Sequence, residues 1–188
     1  MYKIEHKKQI TEKLSAFYTM YIRGLILMAV KEILKLGNPC LYDTSKPVLL
    51  KEWSMLEEVM KDLHDTLMDF RHTYKAGRAV AAPQIGVMKR LIYLNIGEPK
   101  LLINPSLCFP DTETIELWDD CMSFPNLLVK VQRFKRCQIE YTDFFGKQQS
   151  SLLEGDLAEL IQHEYDHLDG ILATDRAIDK RSLKLKQV

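Results

Sequence analysis

The sequence His163-Glu164-Tyr165-Asp166-His167 says more about this chain than any other stretch of its length. Two histidines four positions apart lie on nearly the same face of a helix, where both rings can bind one metal ion. The glutamate between them is placed to take a proton from a metal-bound water. The same spacing also suits a solvated helix face that makes ordinary side-chain contacts. The pentapeptide alone therefore predicts metal catalysis and leaves a structural helix as the alternative.

The size and charge of the chain limit the classes of function. Its 188 residues suit one domain with a sizeable core. The 26 basic and 26 acidic side chains balance, which argues against nucleic acid or an acidic membrane as the main partner. The apolar run at 25–30 is too short to span a bilayer. No membrane partner is therefore expected.

The four cysteines show no CxxC spacing, which indicates a reduced, cytoplasmic protein. Three of them have no chemical context of their own and are interpreted as buried structural thiols. These three are Cys40, Cys108 and Cys137. The fourth, Cys121, lies beside other polar residues and is considered below.

The chain divides into an N-terminal helical extension, residues 1–27, and a catalytic domain, residues 28–188. The extension has apolar side chains at helix spacing: Ile10, Leu14, Phe17, Tyr18 and Tyr21. Its apolar face either packs on the chain's own domain or forms a homodimer contact. Met28 is a second candidate for the biological start of the protein.

The pattern of apolar residues predicts an α+β fold. The clearest helix spans about 50–72, and a second helix at about 155–168 carries both histidines. Between them, residues 78–153 contain short β-like runs separated by turn residues. A short final helix is expected at 175–185. The helix with the histidines is expected to pack among irregular antiparallel β-sheets.

A third metal ligand is needed, because catalytic metals commonly have three protein ligands and one open position. Downstream of the histidines, Ala173 stands where one class of zinc protease has its third histidine. Another class takes a glutamate from further downstream, but here residues 184–188 contain no acid. The third ligand is therefore expected upstream. Cys121 is the candidate, because a thiolate binds zinc or ferrous iron well.

A run of small residues, 77–86, includes Gln84 near its end. Small residues allow the backbone to approach a metal site or a bound peptide closely. The amide of Gln84 could donate a hydrogen bond to a developing oxyanion. Alone, this segment is typical of a loop between a helix and a strand.

Together, these three segments resemble the peptide deformylase motifs GxGxAAPQxG, EGCxS and HExxH. The match extends from about Met28 to Asp175, and residues 32–39 resemble the family's usual opening. The resemblance implies a cytosolic metallohydrolase. Such an enzyme removes the formyl group from the N-terminal formylmethionine of newly synthesised proteins and releases formate.

The resemblance also implies roles for the matching residues. The implied metal ligands are Cys121, His163 and His167. One divalent ion is expected, Fe²⁺ by family resemblance, while ligand chemistry alone allows Zn²⁺. Glu164 would be the general base and then the proton donor to the leaving amine. Gln84 and the backbone N–H of Met122 would stabilise the oxyanion.

Further residues are assigned to substrate binding or to support of the site. Gly77, Ala79 and Val80 belong to the first motif and are expected along the substrate. Arg133 matches a recurrent family arginine and is either an ion-pair partner of Asp119 or a substrate contact. For Asp166, support of an imidazole and a plain surface position are both open.

The chain departs from the family pattern at three positions. Ala79 replaces a glycine, which costs little only if its φ is negative. Asp119 replaces a glutamate and is one methylene shorter. Asp120 replaces the glycine beside the candidate ligand Cys121, adding bulk and negative charge near the expected metal. Weaker activity or an altered substrate range is therefore expected.

Three alternatives remain open from the sequence. A deformylase-like protein could bind formylated peptides without turnover, or act on a different formylated substrate. A zinc endopeptidase is a second alternative, although its usual third ligand is missing. The third concerns the basic residues Lys180, Arg181, Lys184 and Lys186, which could bind RNA or help dock the protein at the ribosome.

Overall fold

The structure is a computed structural model, and it describes residues 30–186. The predicted extension at residues 1–27 and the alternative start at Met28 lie outside this range. The division of the chain at residue 28 therefore stays a prediction. Within the described part, no helix is both long and apolar enough to cross a membrane.

Two α-helices are present in the described part, α1 (Leu56–Tyr74) and α2 (Asp156–Leu168). A 3₁₀ segment, Leu50–Met55, leads into α1, so the helix predicted at 50–72 is found as two consecutive helical segments. Helix α1 ends at Lys75, whose left-handed backbone caps it with an N–H bond to the carbonyl of Arg71.

The larger sheet has five antiparallel strands in the order β1-β2-β3-β6-β7. Its strands are β1 (Ala79–Ala81), β2 (Leu91–Ile96), β3 (Glu98–Cys108), β6 (Arg136–Thr142) and β7 (Gln148–Glu154). The small-residue run, for which the sequence alone predicts a loop, contributes β1. Strand β1 lies at the sheet edge, where no further strand of the described part pairs with its outer side.

The smaller sheet has three antiparallel strands in the order β4-β5-β8. They are β4 (Thr114–Asp120), β5 (Leu127–Phe134) and β8 (Leu183–Leu185). The prediction of a helix at 175–185 is wrong. A 3₁₀ turn at Ala173–Arg176 is followed by β8, because backbone pairing with β5 outweighs the weak local helix preference.

Helix α2 packs against strands of both sheets, including β1, β7 and β5. Its core side carries Ile161 and Leu168, which are almost completely buried with Ile92 and Leu102 of the larger sheet. Each such side chain contributes roughly 2 kcal/mol through burial. This packing holds the histidine-bearing face of α2 opposite the end of β4.

The end of α2 is fixed by close packing against the Pro39–Tyr42 turn. Ser45 donates its backbone N–H to the carbonyl of Leu168 at 2.8 Å. Gly170 has a φ of +72°, and a Cβ added there would lie 2.4 Å from the carbonyl oxygen of Tyr42. Only glycine fits this position, since both the backbone conformation and the close approach exclude a side chain.

The predicted burial is wrong for two of the three cysteines that were interpreted as structural thiols. Cys40 and Cys108 are exposed, whereas Cys137 is buried as predicted. Their segments are a surface turn and the end of β3, where periodicity gives no reliable sign of burial. Burial, with a smaller effect from neighbouring Cys108, raises the pKa of Cys137 to about 11.

Candidate metal centre

Cys121 comes directly after β4, where the chain leaves the smaller sheet and turns toward α2. The turn is closed by the backbone N–H of Phe124, which donates to the carbonyl of Cys121 at 3.1 Å. The backbone N–H of Ser123 also points at the cysteine sulfur, 3.4 Å away. Such a donor stabilises the thiolate form that metals bind.

The two histidines of α2 face this sulfur. One ligand atom from each of Cys121, His163 and His167 lies within 4.8 Å of the other two, and all three side chains are buried. The Sγ of Cys121 is 3.2 Å from Nε2 of His167. Among residues 30–186, this is the only group of three or more such side chains that could hold a metal.

Asp119 orients the first histidine. Its Oδ1 lies 2.8 Å from Nδ1 of His163, so Nε2 of that ring is left for a ligand. Burial disfavours the charged forms of Asp119 and His163, but the attraction between the two groups outweighs the effect of burial. The pKa of Asp119 is lowered to about 2, and the pKa of His163 is raised well above its usual value by Asp119 and then Cys121.

Arg133 lies behind Asp119 and connects it to α2. Its Nη2 is 2.9 Å from Oδ2 of Asp119, and its Nη1 contacts Oδ2 of Asp166. Asp166 also accepts two hydrogen bonds from Arg176, at 2.9 and 2.6 Å. Arg133 therefore has the ion-pair role that the sequence left open. Asp166 supports the site and is buried, not a plain surface acid.

These residues fit a divalent metal by the chemistry of their donors. One sulfur and two imidazole nitrogens suit zinc or ferrous iron and leave an open position. Burial, together with the charge of His163, holds the pKa of His167 well below its usual value, which favours the neutral ring that a metal needs. The Nδ1 atom of His167 has no hydrogen-bond partner among the described residues.

Glu164 is buried beside the ligands, and its Oε2 has no hydrogen-bond partner in the described part of the chain. Burial raises the pKa of Glu164 to about 7. The charge of His163 opposes this rise, while Asp119 and Glu159 add to it. A carboxyl group with a pKa near neutrality can accept and return a proton under physiological conditions.

Gln84 reaches the site from a 3₁₀ turn, Ala82–Ile85, that follows β1. Its Oε1 accepts the backbone N–H of Ala81 at 2.9 Å, which directs its Nε2 toward the centre. That Nε2 lies 3.5 Å from the sulfur of Cys121 and 3.3 Å from Oγ of Ser123. The amide is therefore held with its donor group beside the candidate metal ligands.

A cleft of about 300 Å³ opens over this centre. Its wall contains the predicted residues Gly77, Ala79, Gln84, Cys121, Met122, His163 and Glu164. Two predicted substrate contacts, Val80 and Arg133, are not part of the wall. Val80 is buried in the core against α1, and Arg133 is held behind the site by its ion pairs.

The three departures from the family pattern differ in their surroundings. Among residues 30–186, the only non-glycine residues with positive φ are Lys75 and Asn104, so the backbone at Ala79 suits alanine. Asp119 reaches both His163 and Arg133 despite its shorter side chain. Asp120 points to the cleft rim, where its Oδ2 is 2.6 Å from Nζ of Lys186.

Several residues of the cleft were not predicted. Phe70 and Tyr74, stacked with ring centroids 4.4 Å apart, line the cleft from the end of α1. Arg78 pairs with Glu159 of α2 at 3.1 Å. The charges of Arg78 and Glu159 were visible in the sequence. The aromatic pair had no signal beyond core periodicity, because the cleft forms only when separate elements meet.

The chain is similar to known proteins over most of its length. The polypeptide deformylase family matches residues 30–182. Peptide deformylase 1 of Prochlorococcus marinus (strain MIT 9313) is 38% identical over 167 residues, covering 82% of this chain and 84% of the relative. The peptide deformylase of Heliobacterium modesticaldum (strain ATCC 51547 / Ice1) is also 38% identical, over 152 residues, covering 79% and 95%.

Solved structures show the same likeness. A peptide deformylase from Synechococcus elongatus in complex with actinonin has a TM-score of 0.73 and 28% identity, covering 82% of each chain. A peptide deformylase from Legionella pneumophila has a TM-score of 0.71 and 34% identity, covering 79% of this chain and 86% of that one.

Proposed function

Because this chain belongs to the polypeptide deformylase family, we propose that it removes the formyl group from the N-terminal formylmethionine of new proteins. Formate and a free amino terminus are the products. One observation carries the proposal. Ligand atoms of Cys121, His163 and His167 lie within 4.8 Å of one another. Glu164 is buried in the same cleft, and one of its carboxylate oxygens has no hydrogen-bond partner among residues 30–186.

In this proposal, Cys121, His163 and His167 hold one divalent metal. When bound, the metal lowers the pKa of a water molecule to about 7 and so makes a nucleophile available near neutral pH. Family resemblance favours Fe²⁺, and the sulfur and nitrogen donors are equally compatible with Zn²⁺. Comparing the same protein loaded with each ion would identify the active form.

Glu164 moves the proton. Its carboxylate accepts a proton from the attacking water and then delivers it to the amine nitrogen as the bond to the formyl carbon breaks. A pKa of about 7 suits both steps, because the group must bind and release a proton at similar pH. Its position on the helix turn between the two histidines keeps it beside the site.

Gln84 and the backbone N–H of Met122 stabilise the negative charge that develops on the formyl oxygen. The side-chain amide of Gln84 is already held in place by Ala81, so little reorganisation is needed. One such donor is worth roughly 3–4 kcal/mol of transition-state stabilisation. Gly77 and Ala79 lie along the cleft wall, where small residues allow a peptide to approach the backbone.

Nascent proteins are the proposed partners, which agrees with a cytoplasmic location. Docking at the ribosome would use exposed basic residues such as Lys180 and Arg181. Lys184 lies 3.9 Å from the ring centroid of Trp118, and Lys186 pairs with Asp120. Loss of ribosome co-sedimentation in a Lys180→Ala/Arg181→Ala variant would support docking, and unchanged co-sedimentation would argue against it.

The test of the proposed function is formate release from formyl-Met-Ala-Ser. The protein would be purified without oxygen, loaded with Fe²⁺ and compared with Glu164→Gln. We expect the variant to bind metal and to lose about 100-fold or more in kcat/KM, because the proton acceptor is gone. Glu140→Gln, which changes an exposed acid on β6, is the matched control. Actinonin, bound in the Synechococcus elongatus structure, should inhibit the reaction.

A result of metal binding without formate release would contradict the proposal. It would favour the alternative of a deformylase-like protein that binds a different formylated substrate. Undiminished release in Glu164→Gln would instead reject the proposed role of that glutamate while leaving the activity itself in place.

A further inference from the structure

An ion pair at the rim of the cleft has no part in the proposed chemistry. Asp120 and Lys186, here called the rim pair, both line the cleft, and their charged atoms are 2.6 Å apart. The family motif EGCxS has glycine at the position of Asp120. The carboxylate of Asp120 is therefore a charge that the motif does not have. A peptide bound in the cleft would therefore meet a charge that the motif does not carry.

The rim pair is held by backbone structure on both sides. Asp120 is the last residue of β4 and pairs with Leu128 of β5. Lys186 follows β8, and its backbone N–H donates to the carbonyl of Asn126 at 2.9 Å. The smaller sheet therefore holds both backbones beside the cleft.

The acidic member is the more accessible of the two. The side chain of Asp120 keeps 52% of its surface exposed, against 34% for Lys186. Asp120 directly precedes Cys121, and both residues line the same cleft. Another charge that lines the cleft, that of Arg78, is paired with Glu159 at 3.1 Å. The negative member of the rim pair is therefore the one more open to contact with a bound peptide.

We propose that the rim pair selects substrates by charge. The preferred substrates are formylated peptides with a basic side chain in the second or third position, and acidic side chains there are disfavoured. Asp120 attracts the basic side chain, while Lys186 limits the attraction by neutralising part of its charge. This inference rests on the proposed function, since it assigns a substrate class to the same cleft.

Turnover of two peptides tests the direction of the preference. The measured quantity is kcat/KM for formyl-Met-Lys-Ser divided by that for formyl-Met-Glu-Ser. For partly exposed charges, we expect a ratio of about three in the unchanged protein and about ten in Lys186→Gln, where Asp120 loses its partner. In Asp120→Asn the ratio should fall below one, because Lys186 is released.

A matched control is the double variant Asp120→Asn/Lys186→Gln, which reports the preference of the remaining cleft, including Arg78 and Glu159. The ratio compares two substrates of the same protein preparation, so any general loss of activity or metal cancels. High salt should bring all four ratios together, because screening weakens the interaction of exposed charges. A ratio that is the same in all four proteins would overturn the inference.

A second readout does not depend on turnover. Calorimetry would compare the binding of the product peptides Met-Lys-Ser and Met-Glu-Ser to the metal-loaded protein and its variants. The same order of preferences is expected. If neither peptide binds, the inference is overturned. If formate is released from formyl-Met-Ala-Ser but the preference is invariant, only the charge selection fails. If no formyl peptide is cleaved, the proposed function fails independently.

Discussion

Asp119 lies near the end of β4, and its carboxylate contacts two buried side chains. One oxygen contacts Nδ1 of His163 at 2.8 Å and the other contacts Arg133 at 2.9 Å. Both partners are buried, so the loss of this charge cannot be compensated by water. The side chain therefore links metal binding to the stability of the site.

Asp119→Asn should weaken both properties. We expect metal affinity to fall about 10- to 100-fold, because the orientation of a ligating histidine depends on its hydrogen-bond partner. The free energy of unfolding should fall by about 2–3 kcal/mol, since among residues 30–186 Arg133 would keep only Asp166 as an acidic partner. Metal titration and chemical denaturation measure these two quantities.

Asp111→Asn is the control for that experiment, because Asp111 makes an ion pair with Arg136 in a more accessible position. It should leave both metal affinity and unfolding nearly unchanged. Equal effects of the two substitutions would show that Asp119 has no special relation to the metal.

The cysteines give a second prediction for single residues. Cys40 and Cys108 are exposed and should react with an alkylating reagent at pH 8 in the folded protein. Cys137 should not react until the protein unfolds, because burial raises its pKa to about 11 and blocks access. Mass spectrometry of the labelled peptides would show this. Rapid labelling of Cys137 in the native state would contradict the packing described for β6.

At the level of elements, helices were easier to predict than short strands. The periodicity of α1 and α2 is local, so the sequence indicated both. Strands β4 and β7 begin within the region 78–153 for which the sequence predicts β-like runs, but their bounds were not predicted. Residues 183–185 were assigned to a helix, because pairing with the distant strand β5 decides their conformation. The three candidate metal ligands were singled out through their motifs, whereas the position of Lys186 at the cleft depends on β8 and could not be predicted.

The close contact at the end of α2 can be tested with Gly170→Ala. The new Cβ would lie 2.4 Å from the carbonyl oxygen of Tyr42, on a backbone that also has positive φ. We expect a loss of about 3 kcal/mol in unfolding free energy, measured by denaturant titration.

Gly97→Ala separates the two causes. Gly97 has a φ of +86°, but a Cβ added there would meet nothing within 4 Å, so only backbone strain is introduced. Its cost should be about 1 kcal/mol. If both variants lose the same stability, the contact with Tyr42 contributes nothing.

For the whole molecule, the sequence predicts a catalytic domain at residues 28–188 that is separate from the extension at residues 1–27. A protein starting at Met28 should therefore keep the melting temperature and formate release of the full chain within error. Calorimetry and the formate assay measure these, and size-exclusion chromatography of both forms tests the proposed dimer contact of residues 1–27. Loss of folding in the shorter protein would show that the extension packs on its own domain.

Metal should stabilise the folded protein, because the ligands come together only when β4 and α2 are packed. At a free metal concentration about 1,000 times its Kd, the gain is roughly 4 kcal/mol. Thermal unfolding with and without a chelator would show the shift. Cys121→Ser should strongly reduce the shift in unfolding temperature that the metal causes. A shift as large as that of the unchanged protein would argue against a sulfur ligand.

The spacing of the ligands has a consequence for the life of the protein in a cell. Cys121 and His167 are 46 positions apart, so a metal held by both would act as a cross-link that closes a long loop containing β5, β6 and β7. A covalent bridge of that span removes roughly 4 kcal/mol of conformational freedom from the unfolded chain. Chains without metal would open more often and be degraded first, so the abundance of the protein should follow its metal supply.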